Sequence, residues 1–208
     1  MSANHAAFNL IFRFVENYVS PIAGRISSQR HVMAIRDGFI SAMPFMIVGS
    51  FLLVFAYPPF SPDTTWGFAR AWLDMAKQFE GQILAPFDMT MGVMSLYICA
   101  AIAYNLGKHY VKTHQLDPFM CAMLSLMAFL LVAAPKTKGA LPVDSLGGTG
   151  IFTAILVAIY CVEMMRFLKA HNIGIRLPDQ VPPMIKNSFD LLIPVLVVVL
   201  TLYPLSLL

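Results

Sequence analysis

Apolar positions along this chain fall into five long runs, roughly 39–57, 91–107, 118–134, 150–168 and 189–208, separated by polar or Pro/Gly-rich connectors. Each run holds about 17–20 residues, which at about 1.5 Å per residue just crosses a hydrocarbon core roughly 30 Å thick. Pro44 sits one turn into the first run, where a kink is expected and a neighbouring helix can supply the lost hydrogen bond. Asp117-Pro118 opens the third run as an N-cap followed by proline at the first helical position, and Pro135 closes it.

The connectors carry a second pattern. In the segment 1–38, Phe8, Ile11, Phe12, Val15, Tyr18 and Val19 recur at helical spacing around Arg13, Glu16 and Asn17. This predicts an amphipathic helix ending at Ser20-Pro21, lying in the membrane interface or against a partner subunit. Between residues 58 and 90, Trp66, Ala69, Ala71, Trp72, Leu73, Met75, Ala76 and Phe79 predict another surface helix with two tryptophans at the interface. The 135–149 connector is short and turn-rich. From Arg176 to Pro194, Pro178, Pro182 and Pro183 forbid a regular helix, and Asn187 and Ser188 offer N-cap oxygens to the last run.

Basic residues orient the pattern. With the N-terminus cytosolic, Arg13, Arg25, Arg30, Arg36, Lys108, Lys112, Arg166, Lys169, Arg176 and Lys186 fall inside. Only Arg70, Lys77, Lys136 and Lys138 fall outside. Excess Lys and Arg mark cytosolic loops, so the expected topology is N-in with the fifth span running outward.

Composition agrees with this class. Hydrophobic residues make up 58% and charged ones 12%, about half the charge of a soluble domain. The net charge of +3 is too small and too dispersed for a nucleic-acid footprint. Cys99, Cys121 and Cys161 stand alone in separate apolar runs, which excludes a CxxC motif and argues for packing roles over disulfides. The expected fold is therefore all-α and integral to the membrane, with about five transmembrane helices plus interfacial amphipathic helices.

Few side chains suggest chemistry. Glu163 is the acidic residue well inside a run, and Arg166, three residues on, can neutralise it as a structural ion pair. Asp190 is placed to act on the dipole of the last helix beside the Asn187/Ser188 cap. His109 and His114 are five residues apart, the wrong spacing for a helical metal pair. His5, His31 and His171 read as isolated and solvated. Gly147-Gly148-Thr149-Gly150 lacks the Lys-Ser/Thr of a phosphate loop. No metal site and no cofactor is expected.

Three stretches together carry a family resemblance. They are His31-Val32-Met33-Ala34-Ile35-Arg36-Asp37-Gly38-Phe39 with Met43-Pro44, then Gly92-Val93-Met94-Ser95-Leu96. The third is Leu177-Pro178-Asp179-Gln180-Val181-Pro182-Pro183 with Ser188-Phe189 and Leu192-Ile193-Pro194. In order and spacing they resemble the lactose/cellobiose (chitobiose) sugar permeases, the IIC membrane components of the phosphoenolpyruvate-dependent phosphotransferase system. The resemblance covers the N-terminal half of that family, so 1–208 is expected to be an N-terminal membrane half with the C-terminal half absent.

The resemblance implies uptake of a β-disaccharide such as cellobiose, chitobiose or lactose, coupled to its phosphorylation. The partners implied are the sugar, a separate phosphocysteine IIB subunit with IIA upstream, the lipid bilayer and a second copy in a homodimer. The location implied is the bacterial inner membrane. The family's essential histidine and glutamate belong to the C-terminal half, so no catalytic residue is assigned here. Phe87-Asp88-Met89-Thr90-Met91-Gly92 resembles the family's Asn-Gly-Thr-Leu-Gly segment at the edge of the sugar cavity, with Asp88 in place of asparagine and Met89 in place of glycine. Asp88 and Thr90 are thus the candidate substrate-binding residues, and N-capping of the second span is the competing role for both. The alternative to a permease is a transport-inactive dimerising scaffold or remnant.

Overall fold

A computed structural model describes residues 13, 15–133, 143–175, 182, 185 and 189–206. After a π-helical turn at Val15–Val19, eight α-helices are defined among the described residues. They are α1 (Ser20–Ser27), α2 (Arg30–Ala56), α3 (Gly67–Gln78), α4 (Glu80–Asp88), α5 (Met94–His114), α6 (Pro118–Ala133), α7 (Ile151–Ala170) and α8 (Leu192–Leu205). No strand occurs among the described residues. Each of the five apolar runs coincides with a helix, but two helical stretches, Arg30–Ala56 and Gly148–Ala170, are long and apolar enough to cross a membrane by length and composition. Helices α6 and α8 are apolar but shorter.

Helix α5 is the hub, packed against α2, α6 and α7. Its buried side is made of Ser95, Ile98, Cys99, Ile102, Ala103, Leu106, Gly107 and Tyr110. Of its polar residues, Asn105 is half-buried and donates to the Ala101 carbonyl at 2.9 Å, while Lys108 stays exposed over the Tyr104 ring.

Helix α2 meets α5 through small residues: its buried positions are Ala34, Gly38, Ala42, Gly49 and Ala56, while Ile40, Ile47, Phe51 and Phe55 stay exposed. A Cβ on Gly38 would come within 2.9 Å of the Ile102 backbone nitrogen, so the two backbones touch there. Small residues inside and bulky ones outside is membrane packing, where close backbone contact does the work that water expulsion does in solution.

Several boundaries differ from the sequence reading. The first long helix begins at Arg30, nine residues before the apolar run, because His31–Gly38 already packs as helix. Ser20-Pro21 ends nothing: it opens α1, where proline is tolerated in the first turn. The 58–90 connector holds two helices, α3 and α4, in place of one. Asp117 caps α6 as expected, its Oδ1 accepting from the Phe119 N–H at 2.8 Å. Helix α5 stops at Gln115, whose φ of 54° takes the left-handed capping geometry without a glycine. The amphipathic helix expected before Val15, the 135–142 part of the turn-rich connector and the Asn187/Ser188 cap lie outside the described residues.

Candidate functional site

Helix α5 packs against both α2 and α7, and the two ends of this group differ. At the near end, where α2 starts, Glu163 collects donors from three helices. Its Oε1 lies 3.0 Å from His31 Nε2 of α2 and accepts from the Tyr110 hydroxyl of α5 at 2.7 Å. Its Oε2 pairs with Arg166 at 2.6 Å, one turn along α7. The guanidinium carbons of Arg30 and Arg166 lie 5.6 Å and 5.2 Å from the centre of the Tyr110 ring.

The Glu163–Arg166 pair was legible from its spacing. His31 was not: it is no isolated, solvated histidine, because α2 lays it against a carboxylate 132 positions away in the chain. Beside this node, Lys169 donates to Asp190 at 2.5 Å, tying α7 to the start of α8. Asp190 is thus an ion-pair partner. A cavity of about 730 Å³ opens there, lined by Thr113, His114, Lys169, Asn172, Asp190 and Pro194 among others. Its lining is mixed polar and apolar.

At the far end the chain doubles back. Trp72 Nε1 donates to the Phe55 carbonyl at 3.2 Å, pinning α3 over the end of α2. The Tyr57 hydroxyl donates to Glu80 Oε1 at 3.0 Å, setting the start of α4 beside the end of α2. Helix α4 then packs along α2 until its last residues reach Gly49, where a Cβ would come within 2.8 Å of Thr90 Oγ1. Tyr57 to Gly49 is a descent of about 12 Å along the α2 axis. The turn Met89–Val93 therefore lies beside Gly49, about two helical turns short of the end of α2.

Asp88 precedes this turn and Thr90 lies in it, and neither caps the start of α5. Helix α5 starts only at Met94, and its N-cap Val93 makes no side-chain cap. Thr90 instead closes α4: its hydroxyl lies 2.9 Å from the Pro86 carbonyl and 3.0 Å from that of Phe87. Asp88 is the last residue of α4 and is exposed. Among the described residues its carboxylate has no hydrogen bond or ion pair. A carboxylate at a helix C-terminus faces the negative end of the helix dipole. An exposed charge opposed by a helix dipole is unfavourable.

No group of three His, Cys, Asp or Glu side chains comes together among the described residues. Cys99, Cys121 and Cys161 are all buried and unpaired with one another, as packing residues.

Comparison with known proteins adds the lineage. The family profile "Phosphotransferase system, EIIC" matches residues 36–208. The cellobiose-specific EIIC component of Geobacillus stearothermophilus is 37% identical over 206 residues, covering 90% of this chain and 43% of that protein. The lichenan permease IIC component of Bacillus subtilis is 34% identical, covering 89% of this chain and 42% of that protein. The crystal structure of ChbC, the IIC component of an N,N'-diacetylchitobiose-specific system, superposes with a TM-score of 0.78 at 35% identity, covering 94% of this chain and 46% of that one. The chain spans less than half the length of these relatives. Family profile, relatives and helical architecture agree, and the chain belongs to the EIIC family of phosphotransferase-system membrane proteins.

Proposed function

We propose that this chain is the N-terminal membrane part of a phosphotransferase-system permease that takes up a β-linked disaccharide such as cellobiose, chitobiose or lactose. On this reading the sugar is phosphorylated by a separate phosphocysteine IIB subunit, fed by IIA, and the chain crosses the bacterial inner membrane five times with its N-terminus cytosolic. A homodimer is part of the same reading. The observation that carries it is the likeness to ChbC across 94% of the chain at 35% identity, an identity at which site chemistry as well as fold can be compared.

The charge distribution supports the orientation. Among the described residues Arg30, Arg36, Lys108, Lys112, Arg166 and Lys169 belong to the near end, against Arg70 and Lys77 at the far end.

Calorimetry on the purified chain in detergent tests the function. Saturable binding of cellobiose, N,N'-diacetylchitobiose or lactose is expected. A folded sample that binds none of the three refutes the permease reading and leaves a membrane scaffold without a sugar site.

A further inference from the structure

The turn that α4 carries down beside α2 has a pair of rings next to it. Phe45 of α2 and Tyr97 of α5 are stacked, with centroids 4.4 Å apart and planes 12° from parallel. The Tyr97 hydroxyl donates to the Met89 carbonyl at 2.8 Å, so the stack is fixed to the turn and cannot swing independently of it. Phe45 stands one helical turn before Gly49, on the side of α2 that receives Thr90 and Met91. With Tyr97 on one face, the Phe45 side chain is still 41% exposed, and Met89 beside it is 60% exposed.

Lipid is a poor neighbour for this place. It presents a non-helical backbone about two turns inside the end of α2, beside an Asp88 carboxylate that is unpaired among the described residues, and such groups face water or protein. Where water reaches this place, it offers a rigid aromatic face and, on the same turn, an exposed carboxylate acceptor, an apolar wall with a few polar groups of the kind small-molecule sites use. A pyranose ring matches both. Its C–H face is apolar and flat enough to lie on an aromatic ring, and its hydroxyls donate hydrogen bonds to a carboxylate.

We propose that the Phe45–Tyr97 stack is the platform for one pyranose ring of the sugar, with Asp88 accepting from its hydroxyls and Thr90 holding the turn that presents them. This rests on the reading of the chain as a sugar-permease component. It assigns Phe45 a role that its apolar run conceals, since one phenylalanine in a transmembrane helix looks like any other.

The test is calorimetric titration of the purified chain with cellobiose and with N,N'-diacetylchitobiose, in the unsubstituted form and as Phe45→Ala, Phe45→Leu and Phe45→Trp. The expected result is a loss of at least tenfold in affinity for Ala and Leu, and affinity within threefold for Trp, which keeps an aromatic face. Phe45→Leu keeps the apolar bulk, so a loss there is not a packing defect; melting temperatures of all forms are compared alongside. Ala and Leu variants that bind within twofold of the unsubstituted chain overturn the platform and leave the permease reading standing. An unsubstituted chain that binds neither sugar overturns both.

Discussion

Gly49 of α2 and Thr90 of the turn after α4 are in contact so close that a Cβ on the glycine would lie 2.8 Å from Thr90 Oγ1 and 2.5 Å from Met91 Cγ. That contact sets how far α4 descends along α2, and with it the depth of Asp88. Gly49→Ala therefore displaces the turn, and Gly49→Val displaces it further. The expected cost of the alanine is about 1–3 kcal/mol, read as a lower melting temperature in detergent. Gly24→Ala is the control: nothing lies within 4 Å of a Cβ there, and that substitution should leave the melt unchanged or slightly raised.

Thr90 acts through its hydroxyl, which answers the carbonyls of Pro86 and Phe87 at the end of α4. Thr90→Val keeps the shape and removes the donor, and is expected to cost about 1 kcal/mol. Thr90→Ser keeps the donor and should recover most of that loss. Equal melts for Val and Ser would show that the hydroxyl contributes nothing.

The Glu163 node predicts coupling across the chain. Glu163→Ala strands the Arg166 guanidinium and leaves the Tyr110 hydroxyl and His31 without their acceptor. A loss of about 1–3 kcal/mol is expected for the removal of one partner from such a half-buried network. In a double-mutant cycle, His31→Ala should cost much less once Glu163 is already alanine. Strictly additive losses would mean that the two side chains are neighbours without an interaction.

These sites divide by how far apart their parts lie in the chain. The five helices were legible because lipid-facing runs must be long and apolar, and Asp117-Pro118 is a local signal that the structure bears out. Glu163 and Arg166 were legible as a pair because three residues is one helical turn. His31, Tyr110 and Glu163 were not, since their meeting depends on α2 and α7 both packing against α5. The descent of α4 was equally hidden. Pro86 and Met89–Gly92 look like a connector at the membrane surface, and only the Tyr57–Glu80 bond and the Gly49 contact show that the connector runs inward. For the same reason the spacing of Asp88 and Thr90 suggests caps for the helix that follows them, whereas the helix they close is the one before.

Asp88 makes the sharpest prediction because stability and function should move in opposite directions. Its carboxylate is exposed, unpaired among the described residues, and set at the negative end of α4. Asp88→Asn removes the charge and keeps the shape. Relief of the dipole repulsion is expected to stabilise the chain by about 0.3–1 kcal/mol, seen as a higher melting temperature. The amide can still accept a hydrogen bond, but without the charge that roughly doubles its strength, so affinity for the disaccharide should fall severalfold. A residue kept for structure alone would show the reverse: a lower melt and no change in binding. A variant that melts higher and binds weaker identifies Asp88 as a group whose unfavourable placement is retained for the ligand, and the two measurements on one sample decide it.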